Sequence, residues 1–460
     1  MTRTENLGAR RWALAGVALG VFCVQLDSFA LNLALPRIGR DLAASAGDLQ
    51  WTVSAYLLSV GTLMLGAGRM GDLLGRRRVL VLGLSLFGAA SLLCALATSL
   101  PALVAARVVQ GVGGAVTMPV GLALLTTVFP AERRGRAIGA ALGGGGVATV
   151  VGPSVGGVLA EASSWRALFL ITALISALAV VAVRRGPDSR DPSASGVDVL
   201  GLVSVTAALA VLSVLVDRGP VWGWTSATTT GALVLFLALL ALFVRHERRT
   251  RNPLLDLALL RNGPYVGLTA AGAVANAATV VFLFAVPLSL QSRWDLSSAA
   301  SGLAFLGPAA LMALAGPAAG RIPPGRAVPT MATCLACAGF SLGSASLADE
   351  LPSYLLAITA SGAALGLANA LTLVATQSVV RPERAGEASG LTKTAITLAG
   401  GLGVMLSTSA GTPASGTDGD PLPTAGVLCL TSALLLALWS SLRLRPTRRG
   451  GGAGGVGRGT

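Results

Sequence analysis

Two charges stand in segments otherwise built for hydrocarbon. "VQLDSFALNLALP" at 24–36 carries Asp27, and "LVAARVVQGVGGA" at 103–115 carries Arg107. An ionised side chain in lipid is costly unless it is paired, wetted or protonated, so intramembrane charges usually face a cavity or one another. If both segments cross a bilayer, Asp27 lies about eight residues from the outer end of the first span and Arg107 about seven from the outer start of the fourth. At about 1.5 Å per residue these depths are roughly 12 and 10 Å, nearly the same height. A carboxylate and a guanidinium at one depth can form a titratable switch, in which the arginine holds the acid ionised and protonation loosens the pair. The competing reading is a static ion pair locking two helices. It is the weaker of the two, because a purely structural pair is replaceable by apolar packing.

The elements that must position these residues are membrane helices. Of 460 residues, 53% are hydrophobic and 12% charged, with a mean hydropathy of +0.74; soluble domains carry about 25% charge. Fourteen apolar segments are predicted, near 12–35, 51–69, 79–98, 100–124, 136–160, 166–183, 198–216, 227–244, 264–290, 299–320, 327–347, 352–377, 386–410 and 424–442. Each is long enough to cross roughly 30 Å of hydrocarbon. The runs are continuous instead of alternating, which excludes a membrane β-barrel. "MTRTENLGARRWALAGVALG" resembles a signal peptide, but its apolar part runs on to about Leu35 and reads as an uncleaved first span.

Alternate loops carry "GRMGDLLGRRR", "AERRGR", "RRGPDSR", "RHERRTR", "RIPPGR" and "RPERAGE", whereas the opposite set holds only Arg37, Arg40, Arg166, Arg218 and Arg293. Positive loops stay inside, so both termini are expected in the cytoplasm. The net charge of +14 is explained by the same loops and needs no nucleic-acid partner. Lys393 is the one lysine among 34 basic residues, a bias that points to GC-rich coding, and Asp27 and Arg107 are read as the two full charges deep inside spans. Five cysteines (Cys23, Cys94, Cys334, Cys337, Cys429) fall in apolar runs and are read as packing thiols, "CLAC" at 334–337 included. With a single histidine, His246, no metal site or cofactor is expected.

"ERRGRAIG" at 132–139 returns as "ERAGEASG" at 383–390, and "GRMGDLLGR" has a degraded echo in "GRIPPGR", both displaced by about 250 residues. The spacing argues for a duplicated six-span unit with two spans inserted between the copies, the body plan of transporters that rock two halves around a midplane site. The expected layout is a cytoplasmic N-terminus (1–11), a first bundle (12–183), a linker with two extra helices and a cytoplasmic loop (184–262), a second bundle (263–442) and a disordered tail (443–460). Within that linker, "RHERRTRNPLLDLALLRN" at 245–262 is expected to lie along anionic headgroups.

These residues resemble the major facilitator superfamily and, more narrowly, its fourteen-span drug:H⁺ antiporter family, along most of the chain. "LDSFALNLALPRI" (26–38) is similar to that family's first-helix motif, "GRMGDLLGRRR" (68–78) to the superfamily's loop signature, "LVAARVVQGVGGA" to its arginine motif, and "GPSVGG" (152–157) to its antiporter motif. "WGW" (222–224), "NPLLDLALLRN" (252–262) and "PLSLQ" (287–291) fit fourteen-span members. Ala148 and Ala167 stand where the family pattern has Gly and Trp.

The resemblance implies an all-α membrane protein of the major facilitator fold, two six-helix bundles plus two linker helices. It implies proton-coupled efflux of small organic compounds, an antibiotic or other toxic molecule, by a monomer in the cytoplasmic membrane, with Asp27 and Arg107 coupling protons to substrate. Gly68, Asp72, Gly75 and Arg76 would form a cytoplasmic latch between the halves. Gly139, Gly152, Pro153, Gly156 and Gly157 would form the antiporter seal, glycines giving a smooth face for close helix packing. Asn32, Tyr56, Gln110, Phe282, Phe284 and Gln291 are candidates to line the substrate cavity, and Trp51 could join them. The shortage of membrane acids disfavours dications and leaves neutral, monocationic or anionic substrates open. The alternative within transporters is a proton symporter importing an anionic metabolite on Arg107. A membrane enzyme lacks a catalytic constellation, and a non-transporting sensor would need a soluble domain.

Overall fold

The computed structural model describes residues 3–162, 164–190, 198–250, 259–319, 321–380, 385–409 and 421–443. Residues 251–258 of the 245–262 loop and the tail after 443 lie outside them. Among the described residues the chain is helical, with fourteen long helices: α1 (Arg3–Asp41), α2 (Ala46–Leu74), α3 (Arg76–Leu96), α4 (Leu100–Val128), α5 (Ala131–Ala162), α6 (Trp165–Arg185), α7 (Val199–Trp222) and α8 (Ala227–Glu247). They continue as α9 (Gly263–Ser292), α10 (Ser298–Ala319), α11 (Pro324–Ser346), α12 (Leu351–Ser378), α13 (Ala385–Ser409) and α14 (Pro421–Arg443). Helices satisfy their own backbone groups, which lipid cannot do for them. Their first turns are finished by side chains: Ser45, Ser164, Asp198, Ser226 and Asn262 each accept an amide hydrogen at the start of the helix that follows.

Every predicted span has its helix. The helices outlast most of the apolar runs by a few residues because helical structure continues past the hydrocarbon. Twelve are long and apolar enough to cross a membrane, and thirteen when α2 is counted, whose two arms meet at a 51° bend between Met64 and Gly66. α13, whose described side chains are confined to 388 and 391–403, is not among them.

The pairings show the duplication. In the first six helices α1 packs on α5 and α6, α3 on α4 and α6, and α2 on α4; in the last six, α9 packs on α13 and α14, α11 on α12 and α14, and α10 on α12. The two sets meet through α5 with α10 and α2 with α13, contacts that exchange when the copies are swapped. Asn32 Nδ2 donates to the Leu283 carbonyl at 3.0 Å across this join, from a position displaced by 251 residues. α7 and α8 form a hairpin leaning on α2 and α13. Leu82, Leu174, Val234, Phe340 and Leu356 are exposed, as the lipid-facing surface of a bundle requires. Four cysteines are buried as expected; Cys337 is exposed, because it lies on the outer face of α11.

Candidate functional site

Asp27 on α1 and Arg107 on α4 are in direct contact, and both side chains are fully buried. Arg107 Nη1 donates to Asp27 Oδ2 and, at 2.6 Å, to Gln110 Oε1; Nε donates to the Thr52 carbonyl on α2 at 2.7 Å. Gln110 closes the ring: its Nε2 donates to Asp27 Oδ1 at 3.0 Å and to Ser91 Oγ on α3 at 2.8 Å. Four helices therefore converge on one neutral cluster in which both carboxylate oxygens accept. The Tyr56 ring covers the guanidinium, 4.1 Å from its carbon to the ring centroid, a cation–π contact in a desolvated setting. Arg107 Nη2 is buried without a hydrogen-bond partner.

Between the two sets of helices lies a cavity of about 210 Å³, lined from α1, α2, α4, α9 and α13. Drug-sized ligands occupy about 300–1,000 Å³, so in this conformation the helices stand close around it. Its wall includes Gln25, Ser28, Asn32, Tyr56, Phe284 and Lys393. Asp27 and Arg107 face one another and neither lines this cavity. Val24, Ser28 and Asn32 form the cavity stripe of α1, and Asp27 sits one residue, about 100°, round the helix from it. Tyr56 is the partition, touching the cavity on one side and Arg107 on the other.

Of the six cavity candidates, Asn32, Tyr56 and Phe284 line it. Gln110 belongs instead to the ion-pair ring. Phe282 is fully buried with its ring 5.4 Å from that of Phe305, turned away because two residues of helix rotate a side chain to the opposite face. Gln291 lies near the end of α9 and accepts from Ser298 Oγ at 3.0 Å. Trp51 is not part of the wall. The residue sequence reasoning missed is Lys393, a third charge within the bundle. Its signal was available: the one lysine of the chain falls inside a predicted span.

The helix α5 has two working faces. On one, a Cβ on Gly152 would meet Phe29 at 3.1 Å and one on Gly156 would overlap the Ala30 carbonyl, so the backbones of α1 and α5 touch where only glycine fits. On the other, Pro153, Ser154 and Gly157 face α10: Ser154 Oγ donates to the Gly302 carbonyl at 2.8 Å, Glu161 Oε2 accepts from the Ala299 amide at 3.0 Å, and a Cβ on Gly157 would strike Ser298. Gly139, by contrast, is exposed, with nothing within 4 Å of a Cβ there. The motif thus divides between packing inside one half and sealing one end of the seam between halves.

At the junction of α2 and α3, Gly75 adopts φ +102°, a conformation that favours glycine. Asp72 accepts from Arg76 Nε and Nη2 at 3.0 and 2.8 Å, and Gly68 rests against Pro119. The Arg76 amide donates to the Ser189 carbonyl at 2.8 Å, and the Arg77 amide to Asp188 Oδ1 at 3.0 Å. In this conformation Arg76 and Arg77 fasten the loop to the segment following α6, within its own half. Among the described residues, no three His, Cys, Asp or Glu side chains gather as metal ligands.

This geometry, two pseudo-equivalent six-helix sets enclosing a central cavity, has counterparts among known proteins. The sequence model of the Major Facilitator Superfamily matches residues 17–404. The chain belongs to that superfamily. It is 34% identical over 403 residues to the multidrug resistance protein Stp of Mycobacterium tuberculosis, covering 85% of this chain and 73% of that relative. It is 32% identical over 418 residues to the tetracenomycin C resistance and export protein of Streptomyces glaucescens, covering 88% and 77%. Among solved structures, a peptide transporter, POT, crystallised with sulfate superposes with a TM-score of 0.70 at 14% identity, covering 94% of both chains. As a major facilitator protein the chain is a membrane transporter.

Proposed function

We propose that this transporter exports small organic molecules, an antibiotic or another toxic compound, across the cytoplasmic membrane in exchange for protons. Relatives whose names state multidrug resistance and tetracenomycin C export support the cargo class. The observation that carries the coupling is the buried ring of Asp27, Arg107 and Gln110, with the Tyr56 ring lying between Arg107 and the central cavity.

With the termini in the cytoplasm, as the loop charges require, the seam at Gly157 and Ser298 lies at the outer end. The cavity is then shut toward the outside, and the conformation is the one that loads from within. The moving bodies are residues 12–183 and 263–442, with 184–262 as the linker, and a single chain is the functional unit. A proton taken by Asp27 cancels the charge that Arg107 faces. The guanidinium then turns toward its neutral acceptors, the Thr52 carbonyl and Gln110 Oε1, and carries Tyr56 with it. Because Tyr56 is part of the cavity wall, proton and substrate bias one equilibrium from opposite sides of one ring.

Everted membrane vesicles with an acidified lumen test this reading. Substrate added outside should raise the lumenal pH as protons leave in exchange. Further acidification on substrate addition, the signature of symport, would overturn it.

A further inference from the structure

Lys393 takes no part in the mechanism above, yet it is the charged member of the cavity wall. Its Nζ donates to Met118 Sδ at 3.6 Å, a weak acceptor, and among the described residues no Asp or Glu lines the cavity with it. Asp27 cannot serve as its counter-ion, being sealed behind Tyr56 and held at both oxygens by Arg107 and Gln110. The cavity therefore presents a basic side chain with no carboxylate among its described lining residues. Its level in the bundle follows from the helices: Met64 and Met118 are each 18 residues into α2 and α4, and Lys393 is eight residues into the oppositely directed α13. It sits at the inner end of the cavity, where a molecule entering from the cytoplasm arrives first. Composition singles out the same position, since every other basic residue of the chain is arginine. A lysine offers a compact charge with three donors on a flexible stem, suited to a single anionic oxygen that need not be presented in a fixed plane. Around it Phe29, Leu57, Val60, Met64, Met118 and Phe284 supply an apolar wall.

We infer that Lys393 is the specificity-determining residue of the cavity and selects amphipathic organic anions, molecules with an apolar ring system bearing a carboxylate, a sulfonate or an acidic phenol. The inference rests on the cavity being the substrate path. An anion entering replaces Met118 with a proper partner for the ammonium, whereas a cation of the same size meets like charge in a desolvated space. Neutral compounds gain nothing from the residue.

Two fluorescent probes with a common phenylnaphthylamine skeleton isolate the charge: 1-anilinonaphthalene-8-sulfonate, an anion, and N-phenyl-1-naphthylamine, which is neutral. Binding is titrated on the full chain in lipid nanodiscs, with empty nanodiscs subtracted. The wild-type protein should prefer the sulfonate. Lys393→Gln should weaken sulfonate binding on the order of tenfold to a hundredfold, the value of one charge-assisted hydrogen bond, and leave the neutral probe unchanged, which also shows that the variant is folded. Lys393→Arg should retain the preference. A wild-type protein blind to the charge, or a Lys393→Gln variant in which both affinities move together or neither moves, would overturn the inference. The titration involves no proton gradient, so failure of the exchange mechanism appears in the vesicle assay and failure of this inference appears here.

Discussion

Asp27→Asn separates the two roles a buried ion pair can play. The amide keeps the shape and one acceptor oxygen but cannot exchange a proton at ordinary pH. Arg107 would retain the Thr52 carbonyl at 2.7 Å, Gln110 Oε1 at 2.6 Å and the Tyr56 ring at 4.1 Å, while losing its one anionic neighbour. Breaking a buried pair by removing one partner costs about 3–5 kcal/mol, most of it the stranded charge. The retained acceptors should hold the loss to the lower end of that range. Replacing both members, Asp27→Asn with Arg107→Gln, removes the stranded charge and should recover most of the stability. Coupling should not recover. One proton exchanged across two pH units supplies about 2.7 kcal/mol, enough for roughly hundredfold accumulation of a neutral substrate. In proteoliposomes both variants should equilibrate substrate without accumulating it, a ratio near one. Thermal unfolding in detergent gives the first quantity and substrate accumulation under an imposed pH gradient gives the second. If the double variant still accumulates substrate at the wild-type ratio, Asp27 is a structural lock and another group carries the proton.

Three further outcomes follow from the same geometry. Gln110→Ala removes a donor from Asp27 Oδ1 and an acceptor from Arg107 Nη1; it should cost about 1–3 kcal/mol and shift the pH dependence of transport, and an unchanged pH profile would remove Gln110 from the switch. Gly156→Val forces α1 from α5 where the Ala30 carbonyl lies, so transport should fall by at least about tenfold at equal membrane expression, and wild-type flux would show that the contact is slack. Asp72→Ala releases Arg76 from its two hydrogen bonds near Ser189; cysteines placed along α2 and α3 should change in labelling by a water-soluble maleimide, and an unaltered labelling pattern would deny the loop any role in setting the conformation.

The fold was legible because lipid enforces two simple rules. Spanning segments must be apolar and helical, and arginines must stay on one side; together these yield fourteen helices and their directions. Depth along a helix is also readable, and for Asp27 and Arg107 it sufficed, since two charges at one height on neighbouring spans have strong reason to meet. Azimuth proved harder. Whether a residue faces the cavity or the interior of its own bundle depends on about 100° of rotation, and an all-round apolar helix gives no moment from which to read it. Phe282 and Phe284 differ in that alone, and Gln110, chosen for polarity, was drawn into the ring by Arg107 three residues earlier. Lys393 was hidden for another reason. In a chain whose basic residues mark cytoplasmic loops, a lysine eight residues into α13 reads as one more loop charge or a coding bias. Only when α2, α4 and α13 stand around the cavity does the one lysine of the chain become a member of its wall, so in this fold a lone charge within a span is the place to look for what the site binds.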